Sequence, residues 1–439
     1  MARKRETFGS SAAAVMAMAG SAIGLGNIWR FPYMVGKNGG AAFIILYFLC
    51  IVFLSLPIML SENIIGRRSR ANTFGAMDKL APGTKWKWLG ILTVVSPLII
   101  LSFYSVVGGW SIGFLFKSAF QGFGADATSL FAAYTSSVWI PLLTHTAFLL
   151  LTAVIVSAGV KSGIERFNKL SLPLLFLFIV IIAVYSVTLP GAGEGVRFLV
   201  KPDFSRITPS IAAEAMGQGF FSLSLGVGTI LTYSSYMKKE DNLLKAGLGT
   251  SVADLLFAVL AGFAVMPAVF AAGIEPGAGP GLIFETIPFI FANMGTAAPV
   301  LSRVVSVLFF FTIVIAALTS AISMFEVGVA YLVEEKGVSR RKAVLIIFGA
   351  TWVLGCLCSL RSGVFDFCDK LTSDYLMTFG ALLFVIFAGW KMSREEVHSE
   401  FTNSGTLRGN SRIFGFFYFL LRFVAPLVIL LIFVSNLIG

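Results

Sequence analysis

The chain has 439 residues, of which 57% are hydrophobic and 13% charged, and 43 of them are Phe. Charged residues make up roughly 25% of an ordinary soluble domain, so that class is excluded, and the high apolar content excludes a disordered chain. Lys and Arg outnumber Asp and Glu by 33 to 22, a net charge of +11. The basic residues cluster in short stretches between apolar runs, as they do in the cytoplasmic loops of membrane proteins, so nucleic acid is not the expected partner.

A bilayer-spanning helix needs roughly 20 apolar residues. Eleven segments meet that need: 11–36, 41–66, 88–117, 138–157, 163–188, 211–236, 243–272, 301–334, 342–360, 373–391 and 413–437, referred to below as spans 1 to 11. Span 1 follows Arg3-Lys4-Arg5, as a signal peptide would. It is too long for a signal core, however, and runs into Arg30-Phe31-Pro32, so it reads as a retained helix. With the N-terminus on the cytoplasmic side, 23 of the 33 basic residues face the cytoplasm and nine lie opposite, with Arg422 inside span 11. That bias predicts a multi-pass protein of the inner (plasma) membrane, and an odd number of spans puts the C-terminus outside.

The predicted organisation is a cytoplasmic segment 1–10, spans 1–5 over 11–188 and an outer loop 189–210. Spans 6–10 follow over 211–391, then a cytoplasmic loop 392–412 and span 11 within 413–439. The connection 273–300 carries Pro276, Pro280 and Pro288 around the apolar run Leu282–Ile290. It reads as a re-entrant or capping hairpin.

Two spans are interrupted by Gly. Span 1 contains Gly20-Ser21-Ala22-Ile23-Gly24-Leu25-Gly26-Asn27, and span 6 contains Ser222-Leu223-Ser224-Leu225-Gly226-Val227-Gly228. They occupy equivalent positions if spans 1–5 and 6–10 are two halves, and five being odd, the second half is inverted. The expected fold is therefore an all-α polytopic membrane protein with eleven helices, a 5+5 inverted repeat and broken helices 1 and 6. Paired breaks of this kind mark a midplane binding site. An unwound stretch frees carbonyl oxygens for a small cation and N–H groups for an anion. The hydroxyl and amide groups of Ser21, Asn27, Ser222 and Ser224 are hard oxygen donors that suit Na⁺. The competing reading is close helix packing, since Gly20-xxx-Gly24 and Gly109-xxx-Gly113 both fit a small-xxx-small pattern.

Glu62, Asp254, Glu326 and Asp374 lie inside or at the edge of spans. An acid at helix centre costs roughly 2.5–3.5 kcal/mol, so each needs a partner or a role. Asp254 has no cation within a helical turn or two, which points to a bound cation or to a hydrogen-bonded structural acid. Arg30 with Asp374, and Arg5 with Glu334, are placed to form ion pairs at opposite faces. Two His and four Cys (Cys356 and Cys358 only two apart) provide neither a metal cluster nor a nucleophile–base pair, so no enzyme is expected. No carbonyl filter or charged ring indicates a channel.

The run Gly20-Ser-Ala-Ile-Gly-Leu-Gly-Asn-Ile-Trp-Arg-Phe-Pro32 resembles the first-helix signature of the neurotransmitter:sodium symporter family, in the leucine-transporter fold. The resemblance continues through Asn38–Phe43, Glu62–Arg67, Gly163–Lys169, Gln218–Gly226 and Ala317–Ser320. It implies sodium-coupled import of an amino acid and two sodium sites. The first would join the Ala22 carbonyl, Asn27, Ser222, Asp254 and the substrate carboxylate. The second would join the Gly20, Ile23 and Ala316 carbonyls with the Thr319 and Ser320 hydroxyls. By the same resemblance the carboxylate meets the Leu25 and Gly26 amides and the Tyr104 hydroxyl, and the amino group meets carbonyls of Ala22 and Phe221. The side-chain pocket is lined by Ile100, Tyr104, Phe221, Ser224, Val227, Ser320, Ser323 and Met324. Arg30 with Asp374 forms the outer gate, and Arg5 with Glu334 and Tyr236 the inner one. Gly163 to Pro173 fits a pattern linked to unwinding of span 5. The apolar pocket implies a neutral hydrophobic, bulky or aromatic, amino acid. The chain is expected to work as a monomer or weak dimer in the lipid bilayer. A non-transporting amino-acid sensor and an uncoupled channel are the alternative readings.

Overall fold

A computed structural model of the chain describes residues 6–124, 126–276 and 283–438. Arg5 of the expected inner gate and residues 277–282 of the expected hairpin lie outside them. Among the described residues every regular element is helical. Nine helices are long and apolar enough to cross a membrane, and ten if the bent pair Ser11–Ala22 and Gly26–Lys37 is one span. Span 6 is divided into Pro209–Ser222 and Thr229–Ser234, each too short to cross by itself, so the length criterion stops short of the eleven segments counted above.

Burial separates the spans into an inner group and an outer ring. Span 8 (Pro299–Glu335) is 83% buried over its apolar window, whereas span 9 (Arg340–Leu360) is 33% buried. In a bilayer the exposed apolar faces meet lipid, so the inner group is where polar residues can be housed. Gly109 and Gly113 serve as packing contacts there. A side chain at Gly109 would strike the backbone of His145 in span 4, and one at Gly113 would strike Tyr134.

Several boundaries differ from those read in the sequence, those of spans 10 and 5 among them. Span 10 runs Ser362–Lys391 instead of 373–391. Its first turns carry Asp366, Asp369 and Lys370, which lower the hydropathy without ending the helix. Asp374 therefore sits in a π turn, Leu371–Leu376, well inside span 10 and not at its start. Span 5 is continuous over Val160–Val187 and opens on a π turn, Val160–Glu165, so its Gly163–Pro173 stretch is wound here. In the hairpin region, Thr286–Ala297 forms a helix that packs on span 8.

Both expected breaks are present. Helix Ser11–Ala22 ends at Ile23, whose backbone is extended (φ −73°, ψ 105°), and the chain resumes at Gly26 with a bend of 51°. In span 6, Ser224, Gly226 and Gly228 have φ of 53°, 80° and 74°. Left-handed backbone carries no Cβ penalty at glycine. Gly226 has a second reason to lack a side chain: a Cβ there would collide with the Met377 carbonyl of span 10. In turn, a Cβ at Gly380 would collide with the Gly226 carbonyl. Span 10 is thus pressed directly onto the break. Gly380→Ala should destabilise the protein by about 1–3 kcal/mol through overpacking, read as a lower midpoint of thermal unfolding in detergent; an unchanged midpoint contradicts the close approach.

Candidate functional site

The first polar centre is built where the two breaks meet span 7 (Leu243–Ala271). Asn27 Nδ2 donates to Asp254 Oδ1 at 2.7 Å and to Ser222 Oγ at 3.0 Å. The Ser222 hydroxyl also donates to Asp254 Oδ1, at 2.8 Å, and Tyr47 of span 2 donates to Oδ2 at 3.1 Å. All four side chains are buried. Asn27, Ser222 and Asp254, far apart in sequence, are therefore brought together as expected. Asp254 has no cationic neighbour in ion-pairing range among the described residues; its charge meets only neutral donors. Its carboxylate oxygens and the Ser222 hydroxyl beside it are hard oxygen donors with a single negative charge, which fit an alkali ion better than a transition metal, while Asn27 turns its Nδ2 to them and its Oδ1 accepts from Gly24 N–H at 3.0 Å.

The second centre lies between the first break and span 8. Thr319 Oγ1 donates to the carbonyls of Ala316 at 2.8 Å and of Ile23 at 3.1 Å. Ser320 Oγ donates to the Ser21 carbonyl at 3.0 Å, which also receives the Ser224 hydroxyl at 3.1 Å. Ser21 and Ser323 are joined through their hydroxyls at 2.7 Å. The Ser21 and Ile23 carbonyls are available because helix 1 stops at Ala22. A side chain at Gly20 would collide with the Asn168 amide of span 5, so Gly20 holds the first break against that span.

Between the two centres is a cavity of about 30 Å³ lined by Ala22, Gly24, Gly26, Ile100, Tyr104, Phe221, Ser224, Val227, Ser320, Met324 and Met377. That is room for about two water molecules. Of the residues expected around the substrate, Ser323 of the side-chain pocket does not line it, being bonded to Ser21, and neither do Leu25, which lines a neighbouring cavity, and Ser222, which is in the first centre. Met377 was missed because it belongs to span 10, which sequence reasoning connected only with the gate. The Tyr104 hydroxyl accepts from Leu25 N–H at 3.2 Å, so a donor expected for an anion is already directed into the site. Two flexible methionines line the cavity, and their thioethers can repack around cargo of different shape.

On the Arg30 side, a second cavity of about 240 Å³ is lined by Leu25, Trp29, Arg30, Tyr33, Phe221, Asp369 and Asp374 among others. The Arg30 guanidinium lies 4.8 Å over the Phe221 ring, and it is in electrostatic reach of both Asp369 and Asp374. Asp369 was not anticipated, because span 10 begins earlier than its hydropathy indicates. On the opposite side, Glu334 accepts from Asn72 N at 2.8 Å and Nδ2 at 3.1 Å. Tyr236 donates to Glu326 Oε1 at 2.8 Å. Glu326 also forms a fork with Arg340, at 2.6 and 3.2 Å, and Arg340 Nε donates to the Val156 carbonyl at 2.9 Å. This network ties spans 4, 6, 8 and 9 together.

Glu62, which sequence reasoning left without a role, accepts from Gly226 N–H at 2.8 Å. Gln218 donates to the Gly26 carbonyl at 3.0 Å. Each holds one break in place from a neighbouring helix.

Two interrupted helices that turn freed backbone and hard oxygen donors toward one small central cavity define a secondary transporter. The family profile described as the Sodium:neurotransmitter symporter family matches residues 5–126 and 138–439. The chain is 38% identical to the uncharacterized sodium-dependent transporter YhdH of Bacillus subtilis, over 97% of this chain and 96% of that protein. An uncharacterized sodium-dependent transporter of Haemophilus influenzae is 34% identical over 99% of both. Among solved structures, MhsT in complex with L-phenylalanine superposes with a TM-score of 0.89 at 37% identity, covering 98% of this chain and 100% of the other. The chain belongs to the sodium:neurotransmitter symporter family and is a sodium-coupled membrane transporter, not an enzyme.

Removing one partner of a buried ion pair leaves the other charge uncompensated. Glu326→Gln should therefore lower stability by about 3 kcal/mol, seen as an earlier thermal unfolding midpoint; a midpoint equal to wild type would show that the Arg340 fork contributes nothing.

Proposed function

We propose that the protein imports a neutral hydrophobic amino acid, bulky or aromatic, together with sodium, by alternating access. The observation that carries this reading is the Asn27–Ser222–Asp254 cluster, set beside the cavity where both breaks converge. A cation there would be held by Asp254, Asn27, Ser222 and the Ala22 carbonyl, with the substrate carboxylate completing the shell. The carboxylate would take over the Leu25 N–H now donated to Tyr104 and would itself receive the Tyr104 hydroxyl. A second cation would use the Thr319 and Ser320 hydroxyls with the Gly20, Ile23 and Ala316 carbonyls.

The cavity wall carries no charged side chain, which favours an uncharged cargo side chain, and the similar MhsT was solved with L-phenylalanine. Met324, Met377 and Phe221 would move aside to admit it. The basic bias of the loops favours a cytoplasmic N-terminus. Arg30, Asp369 and Asp374 would then close the outer path over Phe221, while Arg5, Glu334 and Tyr236 would close the inner one. Sodium binding would order the unwound segments, and the shared carboxylate would make the two ligands bind cooperatively and reciprocally.

In proteoliposomes, an inward sodium gradient should drive saturable uptake of labelled L-phenylalanine, competed by other bulky hydrophobic amino acids. Uptake indifferent to the gradient removes the coupling, and binding without counterflow makes the chain a sensor. Asp254→Ala should insert normally yet lose sodium-induced thermal stabilisation; retained sodium affinity would place the ion elsewhere. Tyr104→Phe should weaken substrate binding by roughly tenfold, the value of one hydrogen bond to a charged group. Equal affinity in a binding assay would remove Tyr104 from carboxylate recognition.

A further inference from the structure

Span 11 (Arg408–Val434) carries one basic residue within its apolar stretch, Arg422, beyond Arg408 and Arg412 at its start. Its guanidinium lies over three aromatic rings: Trp390 at 4.6 Å, Phe423 at 5.7 Å and Tyr418 at 5.8 Å. Rings interact with the faces of a guanidinium but leave its in-plane N–H donors unused. Nη1 donates to the Tyr418 hydroxyl at 3.3 Å, and Nε is buried with no acceptor among the described residues. No carboxylate in the described residues reaches it. Glu396, on the next helix, is engaged by Arg68 at 2.5 Å, and Glu395 is exposed.

Two π turns face each other, Phe387–Lys391 at the end of span 10 and Leu420–Val424 within span 11. Trp390 Nε1 donates to the Arg422 carbonyl at 3.0 Å, and Tyr418 donates to the Gly389 carbonyl at 3.2 Å. Each turn therefore fixes the other. Arg394 lies over the same Tyr418 ring at 5.8 Å, and Lys391, next to Trp390 in the chain, is exposed. Trp390, at the end of span 10, is 56% exposed, the position expected of a residue at the headgroup boundary. From there Phe419, Phe423 and Leu427 continue along span 11 as an exposed apolar track.

We propose that this face binds the phosphate headgroup of an anionic phospholipid, with Arg422 as its anchor, in the leaflet on the side of the 392–407 connection. Phosphate oxygens match the Arg422 donors that the Tyr418 bond leaves free, Arg394 and Lys391 supply further positive charge, and the apolar track receives an acyl chain. That track is why the ligand is a lipid and not a free anion.

The test is native mass spectrometry of the full chain, with phosphatidylglycerol and phosphatidylcholine of identical acyl chains. Wild type should retain phosphatidylglycerol preferentially, and Arg422→Gln should lose about fivefold of that preference, the contribution of one basic residue near an anionic surface. Arg303→Gln, a cation exposed in another part of the molecule, should leave it intact. Wild type with no preference overturns the proposal whatever the variants do, and so does Arg422→Gln with full preference. Displacement of the lipid by millimolar inorganic phosphate would also overturn it, because a free anion would then be the ligand.

Discussion

Backbone polar groups at membrane depth must each find a partner, because lipid offers none. The architecture around the centre follows from meeting that demand twice. Breaking span 1 frees the Ser21 and Ile23 carbonyls and the Leu25 N–H. The structure answers with Ser320, Ser224, Thr319 and Tyr104. Breaking span 6 frees the Gly226 N–H, and Glu62 answers. Every one of these partners comes from outside the broken helix it serves, from spans 2, 3 and 8 or from the other break, so the breaks also determine which spans lie innermost. The cavity exists because it is where the interrupted helices fail to fill space.

Much of this was legible in the residues. Paired Gly-x-Gly stretches with hydroxyl neighbours located both breaks, and an acid without a nearby cation marked Asp254. The bringing together of Asn27, Ser222 and Asp254 followed from the family resemblance and not from spacing alone. What escaped was set by tertiary contact. Tyr47 and Gln218 are ordinary polar residues in their spans, and only packing shows that one donates to Asp254 and the other to the Gly26 carbonyl. Hydropathy cut span 10 short because Asp366, Asp369 and Lys370 lie on turns that remain helical, and that error concealed Asp369. Met377 gave no signal, since an isolated Met in an apolar run is indistinguishable from core. Tyr236 was assigned to a gate with Glu334, and nothing in the sequence pointed to its bond with Glu326.

Span 10 links features that the sequence treats separately. Its Met377 lines the central cavity, its backbone bears on Gly226, and its Asp369 and Asp374 line the neighbouring cavity with Arg30. Phe221 belongs to both cavities and lies beneath the Arg30 guanidinium. A ligand can shift a conformational equilibrium only by contacts that differ between the two states. Cargo filling the central cavity would press on Phe221 and Met377, and both already belong to elements that line the neighbouring cavity. On the proposed reading, then, occupancy and closure act through the same side chains. A remote relay is then unnecessary, because the wall of the proposed binding site would also be the underside of the proposed gate.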